Sequence, residues 1–316
     1  MQQPEHFISC DWGTSNLRLR LVDKNSLEVL QERKSNVGVK SLNQDFRQQN
    51  EQSQTEFFSQ YLIQEIEKLV GNETAYQVVA SGMVTSTLGL KELPYVAAPF
   101  AASGETLYRE ALPLNERLQL ILVSGVHDDA GVMRGEEIQA VGLADVLNVK
   151  DHGVLLLPGT HSKHMSFEAG HFTRFKTFMT GELFDLISTK SILSASVKAG
   201  DFDEKARTAF LRGVAKAAEG QSSASLFSIR ALDLLQKTTA TENFYFLSGL
   251  LIGEELRYLQ QEKQAIAVAA SGILEQLYRL ALTTIVEDQQ RLTFITAAQF
   301  EHAFLLGQRK ILATYE

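Results

Sequence analysis

A glycine followed by small hydroxyl side chains occurs twice in the chain, each time between two apolar runs. The first copy reads Asp11-Trp12-Gly13-Thr14-Ser15-Asn16 and the second reads Pro158-Gly159-Thr160-His161-Ser162-Lys163. Glycine lets a backbone approach a ligand closely, and consecutive N–H groups with nearby hydroxyls can cradle a phosphate. The same residue types also form plain hairpin turns. The two copies therefore predict either paired phosphate-binding turns or two ordinary hairpins.

The charged residues of these copies favour the phosphate interpretation. Asp11 ends the first apolar run, where a carboxylate can hold a Mg²⁺ that bridges phosphates, directly or through water. The second copy has no acid at that position and carries the cation Lys163 instead. Two such turns on opposite sides of a cleft would suit the spread negative charge of phosphoryl transfer. Neither copy is a P-loop or a dinucleotide-binding fingerprint.

A pair of acids lies between the two copies, directly after an apolar run that ends at Val123. Transfer of a phosphoryl group to an alcohol needs a carboxylate that accepts the hydroxyl proton, and Asp128 and Asp129 are the candidates. Adjacent acids also serve simply to solvate a loop or to begin a helix, so that alternative stays open. Arg134 could bind a carboxylate or a phosphate, and Glu136 could act as base or metal ligand or pair with Arg134.

Short strands and amphipathic helices must position these residues. Apolar runs predict strands at 7–12, 17–22, 27–31, 77–80, 119–123, 154–157, 165–167, 265–270 and 293–295, so each glycine-containing turn joins two strands. A further strand is predicted at Phe244–Leu247. Helical spacing predicts helices at 57–69, 136–147 and 204–218.

Composition places the chain among ordinary globular proteins. A length of 316 residues, with 44% hydrophobic and 22% charged residues, is enough for two domains. The net charge of -8 gives no electrostatic footprint for nucleic acid or an anionic membrane. The single cysteine, Cys10, excludes an internal disulfide. The start of the chain lacks the pattern of a signal peptide, and no apolar stretch is long enough to span a bilayer, so a cytoplasmic protein is expected.

Short motifs along the chain carry a resemblance to known proteins. Asp-x-Gly-Thr-Ser-Asn-x-Arg at 11–18 resembles the first phosphate motif of the actin, Hsp70 and sugar-kinase superfamily. Six further motifs are Ser81-Gly82-Met83-Val84, Pro94-Tyr95, Met133-Arg134-Gly135-Glu136-Glu137, Pro158-Gly159-Thr160-His161-Ser162-Lys163, Met179-Thr180-Gly181-Glu182-Leu183 and Leu247-Ser248-Gly249-Leu250-Leu251-Ile252-Gly253. Each motif alone is weak, but six in register over nearly the whole chain resemble the 2-dehydro-3-deoxygalactonokinase family within that superfamily.

The resemblance implies an α/β fold of two ribonuclease-H-like halves around a nucleotide cleft, with ATP and Mg²⁺ as cofactors. It also implies that the chain phosphorylates the 6-hydroxyl of 2-dehydro-3-deoxy-D-galactonate, a step of galactonate breakdown. We expect an N-terminal half at 1–123, with the first phosphate turn and the sugar-acid pocket, and a C-terminal half at 124–316 with the second turn and the adenosine site.

The resemblance assigns roles to residues that match the family pattern. Asp128 is the expected general base, because superfamily kinases carry Gly-x-x-Asp there and this chain has Gly125-Val126-His127-Asp128; Asp129 and Glu136 are the alternatives. Asp11 is the expected metal ligand. The expected nucleotide-binding residues are Asp11, Gly13, Thr14, Ser15, Asn16, Gly159, Thr160, Ser162, Lys163, Ser271 and Gly272. The expected substrate-binding residues are Arg18, Gly38, Ser81, Gly82, Met83, Lys91, Tyr95 and Arg134.

Two other functions share parts of this pattern. A superfamily kinase for another sugar acid, a ketose or a polyol would carry the same phosphate motifs and differ only in its pocket. A nucleotide-dependent binding or regulatory protein would also hold the nucleotide, but the first strand begins at Phe7 and leaves no room for a preceding DNA-binding helix-turn-helix. The expected partners are the sugar acid and ATP, with no nucleic acid and no membrane, and a homodimer stays open.

Overall fold

A computed structural model describes residues 5–49 and 51–315 as a mixture of strands and helices. The strands are β1 (His6–Trp12), β2 (Leu17–Asp23), β3 (Val29–Ser35), β4 (Tyr76–Ser81), β5 (Val96–Ala97), β6 (Phe100–Ala101), β7 (Arg109–Pro113), β8 (Leu118–Val123), β9 (Val126–His127), β10 (Val132–Met133), β11 (Gly153–Leu157), β12 (Ser162–Glu168), β13 (His171–Phe178), β14 (Ala265–Ala269) and β15 (Leu292–Ile295). The helices are α1 (Val39–Phe46), α2 (Gln54–Val70), α3 (Glu136–Leu147), α4 (Thr180–Lys190), α5 (Glu204–Ala218), α6 (Ser222–Leu234), α7 (Ala240–Leu256), α8 (Gly272–Ile285) and α9 (Ala297–Tyr315).

The chain divides into two compact units. The first unit holds the residues up to Asp151, the hairpin end Phe167–Arg174 and the chain from Ala298 onward; the second holds His152–Ser166 and Phe175–Ala297. The sequence prediction set the division between 123 and 124. The segment 124–151 and the last helix instead pack with the first unit, because α3 and α9 cover its sheet. Gln308 of α9, for example, is fully buried and donates hydrogen bonds to the carbonyls of Cys10 (3.3 Å) and Val79 (3.0 Å).

Each unit contains the same order of five strands. The first six-stranded sheet has the order β3-β2-β1-β4-β8 with β7 added at the edge, and the second has the order β13-β12-β11-β14-β15 with β6 added beside β13. β1 runs antiparallel to β2 and parallel to β4, and β11 likewise runs parallel to β14. The third-second-first-fourth-fifth order in both units confirms the expected pair of ribonuclease-H-like halves.

Apolar side chains on the inner faces of strands and helices form the core of each unit. In the first unit, Trp12, Phe58, Leu62 and Ile66 are fully buried between the sheet and α2. In the second unit, Val154 and Ile266 of the sheet pack with Phe210 of α5 and with Leu277 of α8. These cores fix the strand ends, where the glycine-containing turns lie.

One predicted element is wrong. The expected strand at Phe244–Leu247 lies inside α7, which is buried on nearly all sides and therefore lacks the one-sided apolar spacing of a surface helix. A sequence signal for the helix is present five residues before Phe244. Thr239 caps α7 and accepts a hydrogen bond from the backbone N–H of Glu242, whose carboxylate accepts one from the N–H of Thr239.

Candidate active site

The first glycine-containing turn joins β1 to β2. The backbone N–H of Gly13 donates to the carbonyl of Asn16 at 2.9 Å, which closes a tight turn. The indole of Trp12 is fully buried and donates to the carbonyl of Val37 at 3.2 Å, so the turn has a rigid base. The side chains of Thr14, Ser15 and Asn16 are exposed. The turn therefore presents hydroxyl and amide groups on a fixed backbone.

Gly38 lies directly against this turn. A Cβ at this position would be 2.3 Å from the carbonyl oxygen of Thr14 and from the carbonyl carbon of Ser15. Gly38 precedes α1, and the first amides of that helix donate to the carbonyls of Gly13 (3.0 Å) and Thr14 (3.1 Å). Helix α1 thus satisfies the carbonyl groups of the turn and holds it in place. Gly38 therefore has a role in packing against the turn, and its expected contact with the substrate stays a prediction.

Asp11 is the last residue but one of β1, with Arg18 of β2 and Ser81 of β4 as its cross-strand neighbours. Burial raises the pKa of its carboxyl group, and the positive charges of Arg18 and Arg20 partly oppose that increase. A poorly solvated carboxylate gains from a nearby cation, which fits a magnesium ligand. Within residues 5–49 and 51–315 no cluster of three metal-binding side chains occurs.

The carboxyl ends of β4 and β8 carry two buried serines. The hydroxyl groups of Ser81 and Ser124 are fully buried and have no hydrogen-bond partner in the described part of the chain. Gly82 follows with a φ of 90°, a conformation that favours glycine, and Met83 after it is half-buried. These residues form the end of the sheet beside Asp11. The sequence analysis did not single out Ser124.

Arg134 fixes the loop that follows Gly82. Its guanidinium donates to the hydroxyl of Thr85 at 2.6 Å and to the carbonyl of Leu93 at 3.5 Å, and it lies 4.2 Å from the ring centre of Tyr95. Thr85 in turn donates to the carbonyls of Gly82 (3.1 Å) and Val123 (3.2 Å). Most of the donors of Arg134 are therefore engaged within the protein, and the side chain holds the loop to the end of β8.

Lys91 and Arg18, the other two candidate cations, also contact acids. The ammonium group of Lys91 pairs with the carboxylate of Glu110. Arg18 is more exposed, and its guanidinium lies 4.0 Å from the carboxylate of Glu32, which also binds Arg20 at 2.8 Å. Arg18 is thus the most loosely held of the three candidate cations.

The acids between the two turns lie on a separate short hairpin and at the start of α3. Asp128 is half-buried, and its carboxylate accepts a hydrogen bond from the backbone N–H of Ala130 at 2.9 Å. Asp129 is exposed. Glu136 accepts a hydrogen bond from the backbone N–H of Arg134 at 3.1 Å. Of the acids on the hairpin, Asp128 is the one whose carboxylate the turn orients.

Glu137 is a buried acid that the sequence analysis did not select. Its side chain is fully buried, and both carboxyl oxygens lie 2.8 Å from the backbone N–H of Gly135. Burial, reinforced by the negative charge of Glu136, raises its pKa to about 8. In sequence, two acids at the start of a helix indicate only a favourable interaction with the helix dipole, so burial could not be read from them.

The second turn, between β11 and β12, repeats the construction of the first. A Cβ on Gly181 would lie 2.6 Å from the carbonyl oxygen of Gly159 and 2.7 Å from the Cα of Thr160. Gly181 is in the first turn of α4, and the next amide, of Glu182, donates to the carbonyl of Thr160 at 3.1 Å. A glycine and the start of a helix thus support each of the two turns.

The side chains around the second turn differ in exposure. Ser162 is fully buried, and its hydroxyl lies 3.2 Å from that of Tyr278. Lys163 is also buried, and its ammonium group donates to the carbonyl of His161 at 3.3 Å. His161 is half-exposed and lies 2.5 Å from the carboxylate of Glu182. Thr160 is exposed, so it is the side chain of this turn that a ligand meets most directly.

A cavity of about 1000 Å³ opens beside the second turn. Residues of the turn, α4, α7 and α8 line it, including Thr160, Thr180, Tyr245, Ile273 and Leu274. Ile273 and Leu274 are apolar yet 43% and 37% exposed, which is the kind of surface that a planar base covers. Ser271 caps α8 and Gly272 is its first residue, so both lie directly before this apolar pair. The volume is sufficient for a nucleoside.

Comparison with known proteins supports the same conclusion. The model of the 2-keto-3-deoxy-galactonokinase family matches residues 11–304 of this chain, which include both turns. The chain belongs to this family. It is 32% identical over 285 residues to a probable 2-dehydro-3-deoxygalactonokinase of Rhizobium meliloti, which covers 88% of this chain and 89% of that protein. It is 29% identical over 313 residues to the 2-dehydro-3-deoxygalactonokinase of Escherichia coli, which covers 96% and 97% of the two chains.

A crystal structure shows that the fold is shared as well. A protein from Sinorhizobium meliloti, described as a 2-dehydro-3-deoxygalactonokinase, superposes with a TM-score of 0.79 at 29% identity. The match covers 98% of this chain and 95% of that one. The protein is therefore a carbohydrate kinase with the fold of its family, and ATP is the nucleotide that this family implies. Among the described helices, none is both long and apolar enough to cross a bilayer.

Proposed function

We propose that this kinase transfers the γ-phosphoryl group of ATP to the 6-hydroxyl of 2-dehydro-3-deoxy-D-galactonate, a step of galactonate breakdown. The observation that carries the proposal is the family match across 11–304, because it spans both glycine-containing turns and the loops between them. The reaction consumes ATP and an intermediate of sugar breakdown, so we place it in the cytoplasm. A homodimer stays a prediction from the sequence.

The nucleotide is assigned to the second unit. Adenosine is assigned to the cavity beside the second turn, with its base against the apolar pair Ile273 and Leu274. The backbone N–H groups and the Thr160 hydroxyl supply donors for phosphate oxygens. Ser271 and Gly272, at the start of α8, complete the nucleotide site. Lys163 is buried and contributes positive charge from beneath the turn rather than by direct contact.

The first turn is assigned to phosphate as well, with Gly13, Thr14, Ser15 and Asn16 supplying backbone and side-chain donors. Asp11 would hold a Mg²⁺ that neutralises phosphate charge. The raised pKa of Asp11 supports this role, because the carboxylate lacks solvation that a cation would replace.

Asp128 is proposed as the general base that accepts the proton of the 6-hydroxyl. The hydrogen bond from Ala130 orients its carboxylate, and half-burial leaves it accessible to a substrate. Asp129, which is exposed, and Glu136, which is bound to the backbone of Arg134, are the alternatives.

The sugar acid is assigned to the first unit. Arg18 is the proposed partner of the substrate carboxylate, because Lys91 pairs with Glu110 and Arg134 is engaged with its own loop. Ser81, Gly82, Met83 and Tyr95 complete the proposed pocket, with Arg134 holding their loop in place. A buried carboxylate without a cation would be costly, which is why one must be present.

The test measures ADP release with purified protein, Mg-ATP and a panel of 2-keto-3-deoxy sugar acids, ketoses and polyols. We expect turnover with the galactonate-derived acid and a fall in kcat of about 100-fold or more in Asp128→Asn. Asp129→Asn is the matched control, since it makes the same change one residue away. Phosphate at the 6-position is checked by the ³¹P–¹H coupling of the product.

Each result has a distinct meaning. Turnover only with other sugar acids, ketoses or polyols would support the kinase activity and reject 2-dehydro-3-deoxy-D-galactonate as the substrate. Turnover that no alcohol stimulates would leave a nucleotide-dependent binding protein as the better description. An equal loss in Asp128→Asn and Asp129→Asn would reject Asp128 as the specific base.

A further inference from the structure

A cluster of buried polar side chains lies beneath the second turn, centred on Glu255 of α7. The side chain of Glu255 is 1% exposed. Its carboxylate accepts hydrogen bonds from the hydroxyl of Tyr278, at 2.9 and 2.8 Å to its two oxygens, and from the hydroxyl of Thr180. The Nε2 atom of His164 lies 2.7 Å from the same carboxylate. We call Glu255, His164, Tyr278, Thr180 and Ser162 the Glu255 cluster.

The directions of the hydrogen bonds made by Tyr278 and Ser162 follow from how many protons each hydroxyl can donate. Burial and the neighbouring carboxylate raise the pKa of Tyr278 well above its usual value, so its hydroxyl keeps its single proton. That proton goes to Glu255, which leaves the Tyr278 oxygen to accept. The hydroxyl of Ser162, 3.2 Å away, therefore donates to Tyr278. The oxygen of Ser162 then remains to accept from the backbone N–H of Gly159 at 3.4 Å.

This chain of hydrogen bonds ties both sides of the turn to one carboxylate. One branch runs from Gly159 through Ser162 and Tyr278 to Glu255. The other runs from Thr180, beside the glycine that supports the turn, directly to Glu255. Gly159, Thr180 and Tyr278 also line the cavity assigned to adenosine. The cluster thus connects a buried acid to the surface that the nucleotide would contact.

Burying a carboxylate costs more free energy than burying an apolar side chain of similar size. Removing an acid from water costs several kcal/mol, and apolar residues of similar size often give equal or greater stability. Stability alone therefore does not account for an acid at position 255. What an apolar residue could not provide is a common acceptor for a histidine N–H and two hydroxyls, which sets the orientation of each.

We infer that Glu255 is a positioning residue for nucleotide binding, which orients the second turn through Tyr278 and Ser162 and orients Thr180 directly. Ser162, expected from the sequence to contact phosphate, acts instead from below by holding Gly159. This inference rests on the proposed function only in taking the ligand of the second turn to be a nucleotide.

The experiment compares Glu255→Gln and Tyr278→Phe with the wild-type protein. A glutamine offers one acceptor oxygen and places an NH₂ group where hydroxyls now donate, so Tyr278 must turn its proton toward Ser162. We expect the Kd for Mg-ADP, measured by calorimetry, to rise about tenfold in each variant. The KM for the sugar acid should stay within about twofold, since it is assigned to the other unit.

A double-mutant cycle separates positioning from general damage. If Glu255 acts through Ser162, then Ser162→Ala should weaken ADP binding less in the Glu255→Gln protein than in the wild type. Tyr258→Phe is the control, because it removes only the hydroxyl 2.9 Å from the other nitrogen of His164, and it should leave the Kd for ADP unchanged.

Several outcomes would overturn the inference. An ADP Kd within twofold of wild type in Tyr278→Phe would do so even if Glu255→Gln failed to fold, because that variant removes a single oxygen atom. Strictly additive effects of Glu255→Gln and Ser162→Ala would also reject it. The ADP measurement needs no sugar acid, so a wild-type protein that binds ADP but phosphorylates no sugar acid would reject the proposed substrate and leave this inference standing.

Discussion

The two glycine-containing turns share a backbone arrangement but are supported from below by different chemistry. Each turn has a glycine against it, Gly38 or Gly181, and each has a helix amide bound to its carbonyl groups. Beneath the first turn lies Trp12, packed 5.5 Å from Phe58 and 5.8 Å from Tyr61 between ring centres. Beneath the second turn lies the Glu255 cluster.

The difference shows how one supersecondary unit can take two roles within a chain. Two residues before its glycine the first turn has Asp11 of β1, whereas the second turn has Leu157 of β11 at the same place. The side chains packed beneath the first turn are aromatic rather than acidic. Among the described residues, the carboxylate of Asp11 therefore has no acid beneath it that would compete for a cation. The second turn has no carboxylate of its own, and the acid beneath it is committed to hydroxyl groups. Of the two turns, the first is therefore the one that we propose as the metal site.

The largest expected effect comes from filling the space behind each turn. Gly38→Ala would place a Cβ 2.3 Å from backbone atoms of Thr14 and Ser15, and Gly181→Ala would place one 2.6 Å from Gly159. Neither methyl fits without moving its turn, and misplacement by about 1 Å can cost about 100-fold in activity. We expect kcat/KM for ATP to fall by about that factor in both variants, with the larger loss in Gly38→Ala.

Gly159→Ala is the matched control, since among the described residues other than its two chain neighbours no atom lies within 4 Å of the added Cβ. Its melting temperature should equal that of the wild type, so any loss of ADP affinity would report contact with the ligand itself. Activity within twofold of wild type in Gly38→Ala would show that the first turn tolerates displacement, and the equivalence of the two turns would then fail.

The fold could be predicted largely from the sequence because its signals are local. Apolar runs marked most of the five strands that each half repeats, and each glycine-threonine turn fell between two of them. The strand expected at Phe244–Leu247 failed because a helix buried on nearly all sides has no one-sided pattern. The domain division differed because α9 returns to the first unit, a contact between distant parts of the chain that no local pattern carries.

The site residues also divide into those that a local sequence pattern indicates and those that only the fold brings together. The turns are contiguous in sequence, so residue type alone drew attention to Asp11, Thr14 and Thr160. Glu255 lies 91 residues from His164 and 23 from Tyr278, and only the fold brings them together. The contacts of Arg134 with Thr85 and Tyr95 are likewise not revealed by sequence spacing, and its contact with the substrate stays a prediction.

The buried acids of the two halves offer a second comparison, through pH. Glu255 accepts hydrogen bonds from side chains, whereas Glu137 accepts them from backbone N–H groups, and burial raises the pKa of Glu137 to about 8. Between its ordinary value of 4.5 and about 8, folded Glu137 holds a proton that the unfolded chain has released. The contribution of Glu137 to the free energy of unfolding is therefore greatest at low pH and is lost as the pH rises from 4.5 to about 8.

The measurement is urea unfolding of the wild type and Glu137→Gln at pH 5, 7 and 9. Glutamine stays neutral, so the variant should gain stability relative to the wild type as the pH rises, by an amount on the order of a few kcal/mol across the window. Taking the difference removes the contribution of other acids that both proteins share. A difference that stays constant, or that favours the wild type at pH 9, would mean that Glu137 is already ionised at neutral pH.

The smallest expected effect concerns the exposed edge of the second turn, where His161 lies 2.5 Å from Glu182. The side chains are 48% and 39% exposed, so water and salt screen their interaction, and such pairs contribute at most about 1 kcal/mol. His161→Gln and Glu182→Gln should each change the Kd for ADP by less than about threefold, and the double variant should lose no more than either single one. A loss of tenfold or more in His161→Gln alone, with Glu182→Gln unchanged, would instead mean that His161 contacts the phosphate itself. The second turn would then carry a charged side chain where the first has Ser15, and its binding of phosphate would depend on more than its backbone and Thr160.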